Sequence, residues 1–417
     1  MRKVLIYSML LIAGLAGSQL LPGVMGGSYA KFAGIVQLAT MFCLAFIMIH
    51  VGYEFEIDKS RLRSYGWDYI VAATAAAFPW IFCALYFVYV MAPQEMWASY
   101  DAWKEALLAS RFSSPTSAGV LFSMLAAAGL AATWLFKKAR VLAIFDDLDT
   151  VLLMIPLKMM MVGMRWQLAV VVVIMAAQLW IAWKYLHDLR LPIRWPFVFA
   201  YSAAIVAVCE LIHLFSKEID PLVPVHIEVL LPAFVLGCVM ARPPGADPHA
   251  DDSTEGAEEG PEQPQEQRVS TLVSAAFMVL VGLSMPSIIS AAPAAPSASA
   301  EIHLRDIPTP GWGTIAFHVA IITIISNLGK MFPAFCYRKE ASFRERIALA
   351  IGMFPRGEVG AGVLVVSLSY GIGGPIVTVA MLSLAVNLLC TGFFILIIKR
   401  LLAAPSGTND GTAVNNL

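Results

Sequence analysis

Three acidic residues stand close together inside an apolar stretch of the chain. Asp146, Asp147 and Asp149 follow the apolar residues 141–145 and precede another apolar run. A charged side chain near the middle of a membrane helix costs roughly 2.5 to 3.5 kcal/mol on insertion scales, so it generally faces a cavity and a partner. Adjacent carboxylates in a low dielectric cannot all ionise freely, so the group should titrate as a coupled unit and hold at least one proton. The pattern predicts a site at which a proton and a cation exclude each other.

A lysine in a second apolar stretch offers a partner for these acids. Lys330 precedes the basic residues at Arg338 by about two helical turns, which places it at a depth similar to that of the acids from the same membrane face. An ion pair would offset the burial of both charges. We therefore predict that Lys330 pairs with Asp146.

Proline and glycine interrupt two other apolar stretches. Residues 113–117 read SSPTS and residues 355–360 read PRGEVG. Paired interrupted segments in the two halves of a membrane chain indicate a transporter site, because a broken helix frees carbonyls and half-helix dipoles. Asp147, the hydroxyls of Ser114 and Thr116, water and freed carbonyls would give a small hard cation the oxygen ligands that it needs. Arg356 and Glu358 lie in the second break and are expected to have charge-pairing or structural roles.

The two halves share a spacing. The distance along the chain from Pro115 to Asp147 equals the distance from Pro355 to Asn387, and Asn387 is the most polar residue of its apolar stretch. In the predicted topology the corresponding helices run in opposite directions. The spacing is typical of an inverted repeat with two interrupted, crossing helices.

Composition sets the class of protein. The 417 residues are 59% hydrophobic and 14% charged, against about 45 to 50% apolar and about 25% charged in an ordinary soluble domain. The net charge is -1 and no basic stripe follows the chain, which excludes nucleic-acid binding. Because a hydrocarbon core of about 30 Å needs about 20 apolar helical residues, we predict an all-α polytopic membrane protein in a lipid bilayer. Its twelve helices are expected near residues 4–21, 30–53, 67–91, 105–136, 140–162, 166–185, 195–214, 224–241, 269–290, 313–337, 346–369 and 375–398.

Basic residues give the predicted orientation. Most of the 28 lysines and arginines fall in loops on one side when both termini are cytoplasmic, as the positive-inside rule requires. We therefore expect a multi-pass protein of the cytoplasmic (inner) membrane. Arg111 falls at the outer boundary in this topology, and Lys158 and Glu228 fall near the ends of spans, where snorkelling or water accounts for their charges.

The chain divides into four predicted segments. Residues 1–241 form a first helical half with the first interrupted helix and the acidic helix. Residues 242–268 are rich in acids, proline and glycine, which is typical of a disordered cytoplasmic linker. Residues 269–401 form a second helical half with Lys330 and the second interrupted helix. Residues 402–417 form a cytoplasmic tail.

These motifs together resemble the sodium/proton antiporters of the monovalent cation:proton antiporter superfamily. The resemblance is carried by FDDLDT at 145–150, Gly329 with Lys330, and the two interrupted segments. It implies that Asp147 binds the cation or the proton, and that Ser114 and Thr116 sit beside the ion. It also implies that Asp146 pairs with Lys330.

Further expectations come from the same resemblance. It implies a homodimer without a resident cofactor, whose cargo is Na⁺ or another monovalent cation together with H⁺. Paired aspartates imply electrogenic exchange of two protons per cation. Asp149 is a departure, because many members with paired aspartates have glycine there, and the extra carboxylate bears on the stoichiometry.

Three other functions fit parts of the pattern. A sodium-coupled solute symporter of related architecture would need an anion site, which Arg356 would serve. An ion channel on the same fold would move ions without protons. An intramembrane aspartyl protease needs two carboxylates on facing helices, whereas Asp146 and Asp147 are adjacent on one. We predict a secondary active transporter that works by alternating access, and not an enzyme.

Overall fold

The computed structural model describes residues 2–55, 62–163, 166–219, 225, 227–241, 264–285, 304–308 and 310–403. Its regular structure is helical throughout these ranges, apart from an isolated bridge between Leu189 and Met240. The helices are α1 (Arg2–Met25), α2 (Tyr29–Tyr53), α3 (Leu62–Tyr86), α4 (Tyr100–Ser110), α5 (Ala118–Ala127), α6 (Trp134–Val162), α7 (Trp166–Lys184), α8 (Trp195–Ile219), α9 (Leu230–Val239), α10 (Pro264–Leu283), α11 (Trp312–Gly329), α12 (Phe343–Gly352), α13 (Glu358–Ser369) and α14 (Gly374–Ala403). The predicted all-α fold is confirmed.

Several helices are long and apolar enough to cross a membrane. Within the described ranges seven helical stretches qualify: Arg2–Tyr53, Arg63–Met91, Trp166–Lys184, Trp195–Ile219, Gln265–Leu283, Trp312–Phe335 and Gly374–Ala403. Helix α6 has 29 residues but is less apolar, because it carries the three acids. Twelve crossings stay a prediction.

Both predicted interruptions are present. The fourth predicted span is divided into α4 and α5, and the eleventh into α12 and α13. The predicted end of the fourth span at residue 136 is wrong. Gly129 follows α5 with a φ of 77°, and the helix cannot continue through that conformation. Thr133 then caps α6, which starts at Trp134 instead of residue 140. Asp146 therefore lies about 18 Å along α6, at ~1.5 Å per residue.

Other predicted boundaries differ at the ends. Helix α9 is shorter than the predicted 224–241. Helix α11 ends at Gly329, because Pro333 has no N–H to donate to the Gly329 carbonyl, and a 3-10 turn over Phe332–Phe335 follows. Helix α10 already begins at Pro264. The last residues of the predicted linker are thus helical, since a helix can extend past the membrane with polar residues. Residues 242–263 and 404–417 lie outside the described residues.

The helices form two bundles. The core bundle consists of α3 to α6 and α11 to α14, with α3 packed on α11 and α6, and α14 packed on α11 and α12. The panel bundle consists of α1, α2 and α7 to α10, with α1 along α10 and α2 along α9. Gly52 and Gly237 allow α2 and α9 to approach closely, because a Cβ on either glycine would overlap the backbone of the facing helix. The core bundle repeats one order, a helix, a broken helix and a helix, in each half of the chain.

Candidate ion-binding site

The two breaks meet inside the core bundle. The backbone N–H of Ser117 donates to the carbonyl of Pro355 at 2.9 Å, and the Thr116 hydroxyl donates to the carbonyl of Met353 at 3.0 Å. Pro115 and Pro355 keep both segments out of helical conformation, so these polar groups are free to pair with each other. Ser117 also caps α5 by accepting from the N–H of Val120. The crossing predicted from the two motifs is therefore a hydrogen-bonded contact.

Asp146 and Lys330 lie at this crossing as a buried ion pair. The Lys330 Nζ is 2.7 Å from Asp146 Oδ2 and donates to the Thr116 hydroxyl at 3.0 Å. The N–H of Thr116 donates to the same carboxylate oxygen at 2.8 Å. All three side chains have no measurable exposure. The pair joins α6 to α11 and to the first break through Oδ2 of Asp146, whereas Oδ1 has no hydrogen-bond partner among the described residues.

A close contact between helices places Lys330 there. Gly329 ends α11 against α3, where a Cβ would overlap the backbone of Pro79. Any larger residue would move α11 away from α3. The short distance from Lys330 to α6 therefore depends on the glycine beside it.

Asp147 points elsewhere and has a different environment. One residue further along a helix turns a side chain by about 100°, so Asp147 leaves the crossing and faces a cavity of about 140 Å³. It is buried, and neither of its carboxylate oxygens has a hydrogen-bond partner among the described residues. Buried polar groups normally have partners. This carboxylate needs a proton or a cation with its water.

The cavity lies between the two bundles. Its walls come from α6 and α13 of the core bundle and from α7 and the start of α9 of the panel bundle. Most of the lining is aliphatic, and the other polar side chains on it are Thr150, Lys158, Gln167, Gln178 and Glu228. Sequence reasoning assigned Lys158 and Glu228 to span ends. Helical periodicity could have placed Lys158 at the cavity. Lys158 follows Asp147 by about three turns and therefore lies on the same face of α6.

The third acid of the group has a partner that the sequence did not suggest. Arg111 is fully buried, its Nη2 lies 3.6 Å from Asp149 Oδ2 and donates to the Asp149 carbonyl at 3.0 Å. The predicted position of Arg111 at the outer boundary is wrong, since α4 ends at Ser110 and the break carries the next residues into the core. The helix break that the nearby Ser-Ser-Pro sequence predicts could have indicated that Arg111 lies in the core.

The predicted hydroxyl ligands are turned away from the cavity. Ser114 accepts from Arg111 Nη1 at 2.7 Å and donates to the carbonyl of Ala76 at 2.8 Å. Thr116 contacts Lys330 and Met353, as described above. Neither residue lines the cavity of Asp147, whereas Thr150 does.

Arg356 and Glu358 do not pair with each other. Each binds other polar groups in the first break or at the end of α11. The Arg356 guanidinium donates to the carbonyls of Ser113 and Ser326, at 2.8 and 2.9 Å, and to the side-chain oxygen of Asn327 at 2.9 Å. Glu358 accepts from the Ser117 hydroxyl at 2.7 Å. Arg356 thus satisfies carbonyls that the broken helix and the end of α11 leave free.

Asn387 lies apart from this site. It is fully buried in α14, and neither side-chain polar atom has a hydrogen-bond partner within the described part of the chain. It does not line the cavity of Asp147.

A second polar cluster ties one end of the core bundle together. Buried Asp68 of α3 accepts from the Tyr337 hydroxyl at 2.7 Å and from Lys138 of α6 at 3.1 Å. Lys138 also lies 3.0 Å from Glu340. Burial, followed by the charge of Asp68, raises the pKa of Tyr337, so this hydroxyl remains a hydrogen-bond donor. The cluster fixes the loop after α11 to α3 and α6.

The fold and the site define a class of protein, a membrane transporter with two crossed, broken helices beside a buried carboxylate. The chain matches the family model of the transmembrane sodium/hydrogen exchangers over residues 3–398 and belongs to that family. It is therefore an exchanger of a monovalent cation for protons, and its family is one of transporters. The resemblance that the motifs indicated is confirmed.

A solved structure has the same fold. The chain is similar to the sodium proton antiporter MjNhaP1 from Methanocaldococcus jannaschii, with a TM-score of 0.52, 12% identity and coverage of 95% of this chain and 92% of the other. At this identity the likeness concerns the fold alone. No curated protein sequence matches the chain.

Proposed function

We propose that Asp147 is the group that the cation and the proton share, and that the cation is Na⁺. The observation that carries the proposal is the buried carboxylate of Asp147, which has no hydrogen-bond partner in the described structure and faces a cavity. Asp146 and Asp149 each have a basic partner and do not line the cavity, whereas Asp147 has no partner in the described part of the chain and lines it.

The competition at Asp147 couples the two fluxes. Deprotonated Asp147 binds the cation with water and with the hydroxyl oxygen of Thr150, and these oxygen ligands suit a hard cation. Protonated Asp147 releases it. In this proposal Ser114 and Thr116 support the site by holding Arg111 and Lys330, and do not coordinate the ion directly.

Alternating access uses the boundary between the bundles. The Asp147 cavity lies between the core and panel bundles, and the two ion pairs of the acidic group both lie within the core. A movement of the core bundle relative to the panel bundle would expose Asp147 to one membrane face at a time. Because proton and cation exclude each other, this movement suffices for exchange.

Three further properties belong to the proposal. The proposed exchange is electrogenic, because paired aspartates imply this in the antiporter superfamily that the motifs resemble. The basic loops favour the cytoplasmic membrane with both termini inside. A homodimer would cover part of α8, which buries little of its own surface against the rest of the chain.

The alternatives have less support. A symporter would need Arg356 for an anion, but this guanidinium already donates to three protein oxygens at 2.8 to 2.9 Å. A channel does not require a carboxylate that binds a proton and a cation in turn, whereas exchange does.

The test follows proton movement in proteoliposomes. Lumenal pH is followed by a dye while Na⁺, Li⁺, K⁺ or choline is added to wild type, Asp147→Asn and Asp101→Asn. Asp101 is a matched control, because it pairs with Lys104 on the same helix, α4, away from the cavity. We expect cation-dependent proton flux in wild type and the control, and a loss of more than about 100-fold in Asp147→Asn, as for removal of an essential charged ligand. Equal flux in Asp147→Asn and wild type contradicts the proposal.

A further inference from the structure

A polar side chain of the panel bundle faces the same cavity as Asp147 and has an unsatisfied oxygen. Gln178 of α7 lines the cavity, and its Oε1 atom is buried and accepts no hydrogen bond from any described residue. A buried amide oxygen normally has a donor or another positive partner. Because most of the cavity wall is aliphatic, this oxygen is available to a ligand inside the cavity.

The helix order places Gln178 at nearly the depth of Asp147. Helix α6 ends at Val162 and α7 begins a few residues later at Trp166, so both helices run away from one short connection. At ~1.5 Å per residue, Asp147 lies roughly 22 Å and Gln178 roughly 18 Å from this connection, which is a difference of less than one turn. Thr150 lies at the level of Gln178 by the same count. The two walls of the cavity therefore present polar oxygens at one level.

A cation at this level has protein oxygens of three kinds around it. Asp147 supplies a carboxylate, Thr150 a hydroxyl and Gln178 an amide carbonyl, and hard cations bind all three. The cavity of about 140 Å³ also has room for several waters that complete the coordination. The three side chains differ in one respect, because Asp147 and Thr150 belong to the core bundle and Gln178 belongs to the panel bundle.

We infer that the side-chain oxygen of Gln178 is a cation ligand supplied by the panel bundle, which completes the site in the conformation of this structure and is left behind when the core bundle moves. The inference rests on the proposed role of Asp147 and on the proposed bundle movement. Gln178 stays with the panel because α7 packs on α9. A displacement of one helical turn, about 5.4 Å, is enough to break a contact of about 2.5 Å between the cation and an oxygen.

Such a ligand makes the two membrane faces unequal. Along α6 the cavity extends from Asp147 as far as Lys158, toward the end of the helix, and we call the membrane face on that side the cavity face. On the other side of Asp147 the ion pair of Arg140 with Glu54, at 2.9 Å, joins α6 to the end of α2 in the panel bundle. A cation that arrives from the cavity face therefore meets Gln178, and one that arrives from the opposite face meets the site without it.

The experiment measures the Na⁺ dependence of exchange from each face. Right-side-out and inverted membrane vesicles are prepared from antiporter-deficient cells that make wild type, Gln178→Met, Gln178→Ala, Gln178→Glu or Gln37→Leu. The external Na⁺ concentration for half-maximal proton flux is determined in both kinds of vesicle. Met keeps most of the side-chain length without an oxygen, whereas Glu keeps an oxygen. Gln37 is the matched control, because it is exposed on α2 of the same bundle.

A tag after α14 identifies the faces. The end of α14 lies beside the start of α6, since Lys399 donates to the carbonyl of Ala128 at 3.3 Å. The cavity face is thus the face opposite the C-terminus, which is the outer face in the predicted topology. Protease added to the two kinds of vesicle shows on which side the tag is cleaved.

We expect Gln178→Met and Gln178→Ala to raise the half-maximal Na⁺ concentration about tenfold at the cavity face, because one contact to a charged group contributes at least roughly that factor. At the opposite face the increase should stay below about twofold. Gln178→Glu should remain within about threefold of wild type at both faces, since it retains a ligand oxygen, and Gln37→Leu should match wild type.

A second readout needs binding but no transport. Na⁺ should raise the unfolding temperature in detergent less in Gln178→Met than in wild type. A side chain that serves packing alone would instead lower the unfolding temperature without Na⁺ in all three Gln178 variants and would leave the two faces equal.

Two results would overturn the inference. One is an unchanged half-maximal Na⁺ concentration at the cavity face in Gln178→Met and Gln178→Ala. The other is an increase at the opposite face that equals or exceeds the increase at the cavity face. Absence of any Na⁺ response in wild type, or its persistence in Asp147→Asn, refutes the proposed role of Asp147 and is distinct from both results.

Discussion

Helices α6 and α14 occupy equivalent places in the two halves of the core bundle, yet they carry different chemistry. Each follows a broken helix, and Asp147 and Asn387 stand at the same spacing from Pro115 and Pro355. Asp147 faces a cavity between the bundles, whereas Asn387 is enclosed. The framework is repeated, but the ionisable groups are concentrated in one half.

The free-energy cost of burial explains how the amide of Asn387 can remain in α14 without a partner. An amide buried without a partner costs about 1–3 kcal/mol, and the stability of a large helical bundle absorbs this. An ionised carboxylate without a partner costs several kcal/mol, so it requires a basic residue or a cavity with water. In α6 the acids obtain these from Lys330, from Arg111 and from the cavity. If Asp147 has the proposed role, the comparison indicates that the repeated fold supports transport chemistry in the half where neighbouring elements supply counter-charges and space.

The strongest test of this asymmetry removes a counter-charge from α6. We expect Lys330→Met to lower the free energy of unfolding by about 3–5 kcal/mol, because Asp146 remains buried and charged without its partner. Asp146→Asn combined with Lys330→Met should recover much of the loss. Denaturation in detergent measures both effects. Lys31→Met on the exposed surface of α2 is the matched control and should stay within about 0.5 kcal/mol of wild type. A stable single variant would show that the pair contributes little.

A smaller effect is expected on the opposite wall of the cavity. Glu228 lies on the panel side of the cavity, and we expect a negative charge there to attract cations toward Asp147. We expect Glu228→Gln to raise the cation concentration for half-maximal exchange about fivefold with little change in maximal rate, since a unit charge roughly 15 Å away contributes about 1 kcal/mol at an effective dielectric of about 20. Glu218→Gln at the exposed end of α8 should leave both parameters unchanged. If maximal rate falls and affinity does not, Glu228 acts on a step other than cation attraction.

The smallest effect is expected in α14. Asn387→Leu should keep exchange within about twofold of wild type and should not lower the free energy of unfolding, because no side-chain hydrogen bond of Asn387 is lost and an unpartnered buried amide is removed. The same substitution at Asn327 removes an acceptor of Arg356 and should cost about 1–3 kcal/mol. Proton flux and thermal unfolding of both variants measure the contrast. Loss of exchange in Asn387→Leu would mean that the second half contributes a functional group after all.

The sequence predicted the parts of the site that depend on depth and on helix breakers. Asp146 and Lys330 lie at matching depths, and the prolines mark where the helices cannot continue, so both features were predictable from spacing. The direction of a side chain around its helix was not. Ser114 turns toward Arg111 because the break rotates it away from the cavity, and no linear spacing gives that rotation. Arg111 was misplaced because an error of a few residues in a helix end decides whether a charge is interfacial or buried.

The contact between Gly329 and Pro79 makes the protein sensitive at a position that carries no charge and lines no cavity. A single added methyl group would separate α11 from α3 and draw Lys330 away from Asp146. In a collection of genetic variants, an alanine at Gly329 would therefore have the phenotype of a lost ion pair and would not resemble a mild packing change. The tolerance of the proposed ion site to mutation is partly set by a residue without a side chain.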